Sequence, residues 1–151
     1  MHRFILSGLT VILTVFLMGW ALSSAAETLP KSKEASQSDA TVLAIYFHGD
    51  YRCVTCKRNE QFSKEAVEKY FPRQIQDKKL KFRTVNVDVQ ENRHFIQDYQ
   101  LYNSSLVIVL YRGDRQVQWK NLDGVWRLSG DRDKFYQYVK TEINAYLQES
   151  K

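Results

Sequence analysis

Residues 41–57 decide the fold of this chain, and they read Thr41-Val42-Leu43-Ala44-Ile45-Tyr46-Phe47-His48-Gly49-Asp50-Tyr51-Arg52-Cys53-Val54-Thr55-Cys56-Lys57. The run up to Phe47 is aliphatic, β-branched or aromatic, which is typical of a central strand buried on both faces of a parallel sheet. A loop with a glycine follows, and Cys53 then opens a helix with apolar residues at helical spacing. The stretch therefore predicts a strand, a loop and a helix, with a Cys-x-x-Cys pair at the helix N-terminus.

Pattern and turn signals predict the rest of the domain: a strand over 81–89, a helix over 91–101, a hairpin of strands over 106–111 and 116–122, and a closing helix from about Asp131. Two right-handed crossovers followed by a hairpin and a helix would build one sheet. We therefore expect an α/β fold with a central mixed four-stranded sheet flanked by helices on both faces. This element order is that of the thioredoxin core.

The chain contains two cysteines, Cys53 and Cys56, and a bridge between them closes too small a loop to staple a fold. The pair therefore predicts redox chemistry. The helix N-terminus and the neighbouring Arg52 favour the thiolate of Cys53, which makes it the nucleophile and leaves Cys56 as the resolving thiol. We expect a thiol-disulfide oxidoreductase without a bound cofactor. Its partner would be a protein or a small molecule that carries a thiol or a disulfide.

The residues around the cysteines allow more than one interpretation. Tyr51 is either a substrate-binding surface or a half-buried loop aromatic, and His48 either assists proton transfer or is a surface residue. His94 is predicted at the same sheet edge as the cysteines, so both histidines and both cysteines could bind a metal, although their spacing matches no common zinc motif. A dithiol can also capture a soft ion such as trivalent arsenic. A metal- or metalloid-binding protein, or an electron-transfer subunit, is therefore the alternative function.

The N-terminus predicts export. Arg3 precedes an apolar run over 4–22, and Ser24 and Ala26 supply the small residues that a signal peptidase reads. We expect a signal peptide over 1–26, a flexible linker over 27–40 and a domain over 41–151, in a periplasmic or other extracytoplasmic compartment that permits disulfides. An uncleaved membrane anchor is the competing interpretation, because the apolar run is nearly long enough to span a bilayer. A membrane protein that exchanges electrons with the cysteine pair is a further candidate partner.

Composition and motifs exclude several other classes. The net charge of +5 is spread along the chain, and no basic stripe interleaved with aromatics predicts nucleic-acid binding. The sequence contains no glycine-rich phosphate loop, no dinucleotide fingerprint and no Gly-x-Ser-x-Gly elbow. The Cys-x-x-Cys pair is therefore the strongest chemical signal in the chain.

Two blocks of sequence, residues 45–57 and residues 85–107, resemble a family of thioredoxin-like proteins called ArsF-like, also described as nitrophenyl compound nitroreductase subunits. The first block contains the Tyr-x-His-Gly region and the cysteines, and the second runs from Val85 to Val107. The likeness covers most of residues 41–147. It implies an exported thioredoxin fold with a Cys-x-x-Cys active site.

The sequence also departs from thioredoxin itself. Arg52 replaces the tryptophan before the first cysteine, and Val54-Thr55 replaces Gly-Pro between the cysteines. Comparison with thioredoxins implies that Ser105 occupies the position of their substrate-contacting cis-proline. Ile45 and Tyr46 stand where thioredoxins bury a proton-accepting carboxylate, and His48 is the candidate substitute for it.

Overall fold

The computed structural model describes residues 40–151, which form a four-stranded sheet and five α-helices. The strands are β1 (Ala40–His48), β2 (Leu80–Asn86), β3 (Ser105–Arg112) and β4 (Arg115–Asn121). The helices are α1 (Val54–Tyr70), α2 (Pro72–Gln76), α3 (His94–Asp98), α4 (Gly124–Arg127) and α5 (Arg132–Glu149), and a 3-10 turn covers Gln90–Asn92. None of these helices is long and apolar enough to cross a membrane. The predicted signal peptide and nearly all of the predicted linker lie outside the described residues.

The strands are arranged in the order β2-β1-β3-β4. β1 runs parallel to β2 and antiparallel to β3, and β3 forms an antiparallel hairpin with β4. A parallel neighbour needs a crossover connection, and α1 supplies it. The predicted mixed four-stranded sheet is therefore confirmed, but only the first of the two predicted crossovers joins parallel strands, because β3 runs antiparallel to β1 and β2.

β1 lies at the centre of the sheet and is buried on both faces, as its continuous apolar run predicted. Side chains on one face, including Val42, Ala44 and Tyr46, pack into a core shared with α1 and α5. Ile45 and Phe47 point to the other face and pack with Tyr99 beside α3. Helices therefore cover both faces of the sheet, as expected.

Three elements differ from the sequence prediction. β2 ends at Asn86, because the Asn86 side chain accepts a hydrogen bond from the backbone N–H of Asp88 (3.0 Å) and turns the chain there. The helix predicted over 91–101 is limited to α3, which ends before Gln100, a residue with a positive φ of 50°. After α1 ends at Tyr70, Pro72 begins the short helix α2, which was not predicted; proline is well suited to the first position of a helix.

The fold makes Gly124 sensitive to any side chain. A Cβ built on this buried α4 residue would lie 2.7 Å from Cζ of Tyr138, a ring on α5. We expect Gly124→Ala to lower the free energy of unfolding by about 1–3 kcal/mol, the usual cost of overpacking. Urea denaturation measures the free energy of unfolding. Gly130→Ala is the matched control, because a Cβ at Gly130 would meet nothing within 4 Å. Equal stability of the two variants would contradict the packing.

Candidate functional site

Cys53 and Cys56 form a disulfide at the N-terminus of α1. Cys53 is the N-cap residue, with an extended backbone, and its side chain takes the position at which Ser or Asp usually caps a helix. Its Sγ accepts a hydrogen bond from the backbone N–H of Cys56 at 3.0 Å. Cys53 is partly exposed whereas Cys56 is buried, so a substrate approaching from solvent reaches Cys53 first.

The helix N-terminus gives Cys53 an environment suited to negative charge. The first turn of α1 contains no acidic residue, and its free N–H groups and helix dipole favour an anion at the N-cap. Lys57 and Arg58 lie exposed on the same turn. When the disulfide is reduced, the N–H of Cys56 remains able to donate to the Cys53 sulfur, which favours the thiolate, the reactive form of cysteine.

A cavity of about 340 Å³ lies against the buried cysteine. It is lined by the end of β1, by the loop that precedes the cysteines, by the loop before β3 and by α4, through Phe47, His48, Gly49, Tyr51, Cys56, Val87, Ile96, Leu101, Tyr102, Asn103, Ser104 and Trp126. None of these residues carries a permanent charge. Tyr51 and Tyr102 are 88% and 94% exposed, which leaves two aromatic rings free to contact a ligand. The cavity therefore provides an apolar, aromatic surface beside the disulfide.

The structure places two of the candidate substrate-binding residues, Tyr51 and His48, in the wall of this cavity. Nδ1 of His48 donates a hydrogen bond to the carbonyl of Gly49 at 2.8 Å, so Nε2 is the nitrogen left for a proton or a ligand. Tyr51 is almost fully exposed, so of its two interpretations the binding surface fits better than the half-buried loop aromatic.

Ser105 occupies the first position of β3, opposite Phe47, and is almost fully buried. Its hydroxyl donates to the backbone carbonyl of Asn103 at 2.9 Å, and the preceding residue, Ser104, is the one that lines the cavity. All peptide bonds in residues 40–151 are trans. A contact between substrate and this loop would therefore involve Ser104 more directly than Ser105.

Arg52 has a partner that the sequence analysis did not identify. Its guanidinium forms an ion pair with Glu60, two turns along α1, and the two side chains are only 26% and 22% exposed. Glu60 also accepts a hydrogen bond from Thr84 of β2 at 3.4 Å. The positive charge of Arg52 is therefore paired with a carboxylate of α1.

The side chains proposed for a metal site do not all lie close together in the described residues. Nδ1 of His94 lies 2.7 Å from the Asp98 carboxylate on the same exposed helix, α3. Between Ala40 and the C-terminus, no group of three or more His, Cys, Asp or Glu side chains is arranged to hold a metal ion. His48, His94 and the two cysteines are thus not brought together as one ligand set.

Tyr46 is a site residue whose importance the sequence analysis missed. It is fully buried, and its hydroxyl donates to the backbone carbonyl of Cys56 at 2.8 Å. Burial raises the pKa of Tyr46 to about 12, although the nearby Arg52 and a hydrogen bond with Ser104 oppose this rise. Strand alternation was the available signal, because Tyr46 shares its face with Val42 and Ala44, whereas Ile45 points away from α1.

Trp126 and Tyr102 were also missed, and no sequence pattern links them to the cysteines. The Trp126 indole N–H donates to the carbonyl of Ser104 at 2.9 Å and so ties α4 to the loop before β3. Both aromatic residues line the cavity only because the fold brings these distant segments together.

No protein-family model and no curated protein matches this chain. Solved structures do match it. The germline-specific thioredoxin Deadhead of Drosophila melanogaster is 21% identical over 64% of this chain and 83% of its own (TM-score 0.37). A thioredoxin from Entamoeba histolytica is 21% identical over 70% and 85% (0.40), and oxidised thioredoxin O2 from Arabidopsis thaliana is 17% identical over 64% and 76% (0.38). These similarities concern the fold alone, and the strand order already identifies that fold as thioredoxin-like.

Asn59 lies one turn after Cys56 on the buried face of α1. Its side chain is fully buried, and neither its amide nitrogen nor its oxygen has a hydrogen-bond partner among the described residues. A buried polar group without a partner lowers stability.

We expect Asn59→Leu to raise the free energy of unfolding by about 1–2 kcal/mol, since it removes that penalty and keeps the branched shape of the side chain. Urea denaturation of the oxidised protein measures the change. Asn59→Asp is the control and should be less stable than the wild type, because it buries a charge without a partner. A leucine variant less stable than the wild type would show that Asn59 is satisfied in solution.

Proposed function

We propose that this protein is a thiol-disulfide oxidoreductase in which Cys53 is the nucleophile and Cys56 the resolving thiol. The main support is the disulfide at the N-terminus of α1, with Cys53 partly exposed and Cys56 buried behind it. Unequal access assigns the roles, because exchange requires in-line approach of an external sulfur to one member of the pair. The hydrogen bond from the Cys56 N–H to the Cys53 sulfur favours the same assignment.

The oxidised protein would react with a substrate dithiol in two steps. A substrate thiolate attacks Sγ of Cys53, a mixed disulfide forms, and Cys56 leaves as a thiolate that takes up a proton. The second substrate thiol, after losing its proton, attacks the substrate sulfur of the mixed disulfide and releases Cys53. The substrate is oxidised by two electrons and the protein is reduced by two. The reverse sequence reduces a substrate disulfide, and the relative reduction potentials set the direction.

The substrate would bind in the cavity beside the disulfide. Its lining is apolar and aromatic, and Tyr51 and Tyr102 expose their rings there. A protein or small-molecule thiol or disulfide with apolar groups beside its sulfur fits this surface, because burying aromatic surface favours binding. The resemblance of residues 45–57 to the ArsF-like proteins supports the same assignment, and we propose membership of that family.

Two cysteine variants test the assignment of roles. Cys53→Ser should reduce exchange with oxidised glutathione to the uncatalysed background, since the buried Cys56 is hard to reach. Cys56→Ser should instead accumulate a mixed disulfide between Cys53 and glutathione, because the resolving thiol is absent. Intact mass spectrometry detects the adduct, and far-UV circular dichroism checks folding. Exchange by Cys53→Ser at the wild-type rate, or an adduct on Cys56 alone, would contradict the proposal.

We also propose that the protein acts outside the cytoplasm, in the periplasm or an equivalent compartment, after removal of residues 1–26. The support is the sequence pattern of a basic start, an apolar run and small residues at Ser24 and Ala26. A membrane redox partner in such a compartment would return the Cys53–Cys56 pair to its starting redox state after each turnover.

Cleavage can be tested with two matched variants expressed as full chains in a bacterial host. The wild type and Ala25→Leu should yield a mature protein that begins at Glu27, because signal peptidase tolerates many residues at position −2, which Ala25 occupies. Ala26→Leu should remain at precursor mass, since signal peptidase requires a small residue there. Mass spectrometry of the membrane and periplasmic fractions distinguishes the two species. Precursor mass in all three proteins would favour the anchor instead.

A further inference from the structure

Polar side chains from α1, β1, β2 and the loop before Cys53 contact one another or the backbone of Cys56. This polar cluster consists of Tyr46, Arg52, Glu60 and Thr84. Arg52 and Glu60 form an ion pair, Thr84 donates to Glu60, and Tyr46 donates to the Cys56 carbonyl. Thr84 and Tyr46 are direct neighbours in the parallel pairing of β1 and β2. The cluster therefore connects the residue before Cys53 with the backbone of Cys56.

The position of Arg52 within this cluster is informative. A side chain next to an N-cap could extend into solvent, yet about three quarters of Arg52 is covered. Glu60 is the only carboxylate of α1 that pairs with a residue of the loop between β1 and α1. Glu65 pairs with Arg132, and Glu68 pairs with Lys64. A partly buried pair is screened less by salt than an exposed pair, so its charges act on their surroundings over a longer distance.

We propose that Glu60 is a positioning residue that sets the reactivity of the dithiol by holding and neutralising the guanidinium of Arg52, the residue that precedes Cys53. This inference rests on the proposed function. A free Arg52 cation would stabilise the Cys53 thiolate and with it the reduced protein, which would make the disulfide a stronger oxidant. Glu60 opposes this effect, so the ion pair restrains the oxidising power of the site.

Other charges surround Cys53 and remain unchanged in the test. Lys57 and Arg58 lie exposed on the first turn of α1. On the opposite side of the loop, the carboxylate of Asp88 accepts from the backbone N–H of Asp50 at 2.7 Å, and Asn86 donates to the Asp50 carboxylate at 2.7 Å. His48 lies at the end of β1 with Nδ1 bonded to Gly49. Because these groups are common to all variants, a change in reactivity reports on the ion pair.

The test is Glu60→Gln. We expect the reduced variant to react with iodoacetamide at pH 7 about threefold faster at Cys53, because the Arg52 cation is then no longer neutralised and favours the thiolate. The equilibrium with glutathione should shift by about threefold toward the reduced protein, or about 14 mV at about 30 mV per tenfold change. Arg52→Gln should shift both quantities in the opposite direction. Glu60→Asp keeps the charge and should restore wild-type values.

The matched control is Glu68→Gln, which removes the same charge from an exposed pair on the same helix and should change neither quantity. The double variant Arg52→Gln/Glu60→Gln shows whether Glu60 acts through Arg52: the effect of Glu60→Gln should be smaller in the Arg52→Gln background. Wild-type values for Glu60→Gln, or an equal effect in both backgrounds, would overturn the inference. Alkylation of Cys53 reports on the ion pair even if glutathione exchange fails, so the two proposals can fail separately.

Discussion

β1 is hydrogen-bonded to strands on both edges and covered by side chains on both faces, and the position of the site depends on this constraint. A strand held in this way cannot shift its register without exposing an entire face of apolar residues. Its last residue, His48, is fixed further by a hydrogen bond from the N–H of Val87 to its carbonyl at 2.8 Å. The short loop that follows must therefore deliver Cys53 to one place, the N-terminus of α1.

The features that could be predicted from sequence are those in which burial repeats at a short interval along the chain. A strand buried on both faces needs apolar residues at every position, so β1 and β3 are evident as continuous runs. The buried stripe of α5 recurs at helical spacing, and a Cys-x-x-Cys between a strand and a helix is informative because the helix N-terminus supplies the chemistry. The mixed four-stranded sheet followed from the element order, since short connections leave few topologies.

The features that could not be predicted depend on contacts between distant segments. Arg52 was expected to act on Cys53 directly, but its partner lies two helical turns away, and only the fold shows that the side chain turns inward. Trp126 reaches Ser104 across more than twenty residues of sequence. The short helices α2 and α4, of five and four residues, are too short to show a helical period in the sequence.

The polar groups that connect the residue before Cys53 with the Cys56 backbone are a neutral tyrosine and an ion pair. Tyr46 holds the Cys56 carbonyl without carrying a charge, since a tyrosine is protonated at neutral pH and burial raises the pKa of Tyr46 further, to about 12. The charges of Arg52 and Glu60 oppose each other. Neither group therefore offers a strong base to the buried thiol. His48 lines the same cavity as Cys56, with Nδ1 bonded to the Gly49 carbonyl and Nε2 free of that contact.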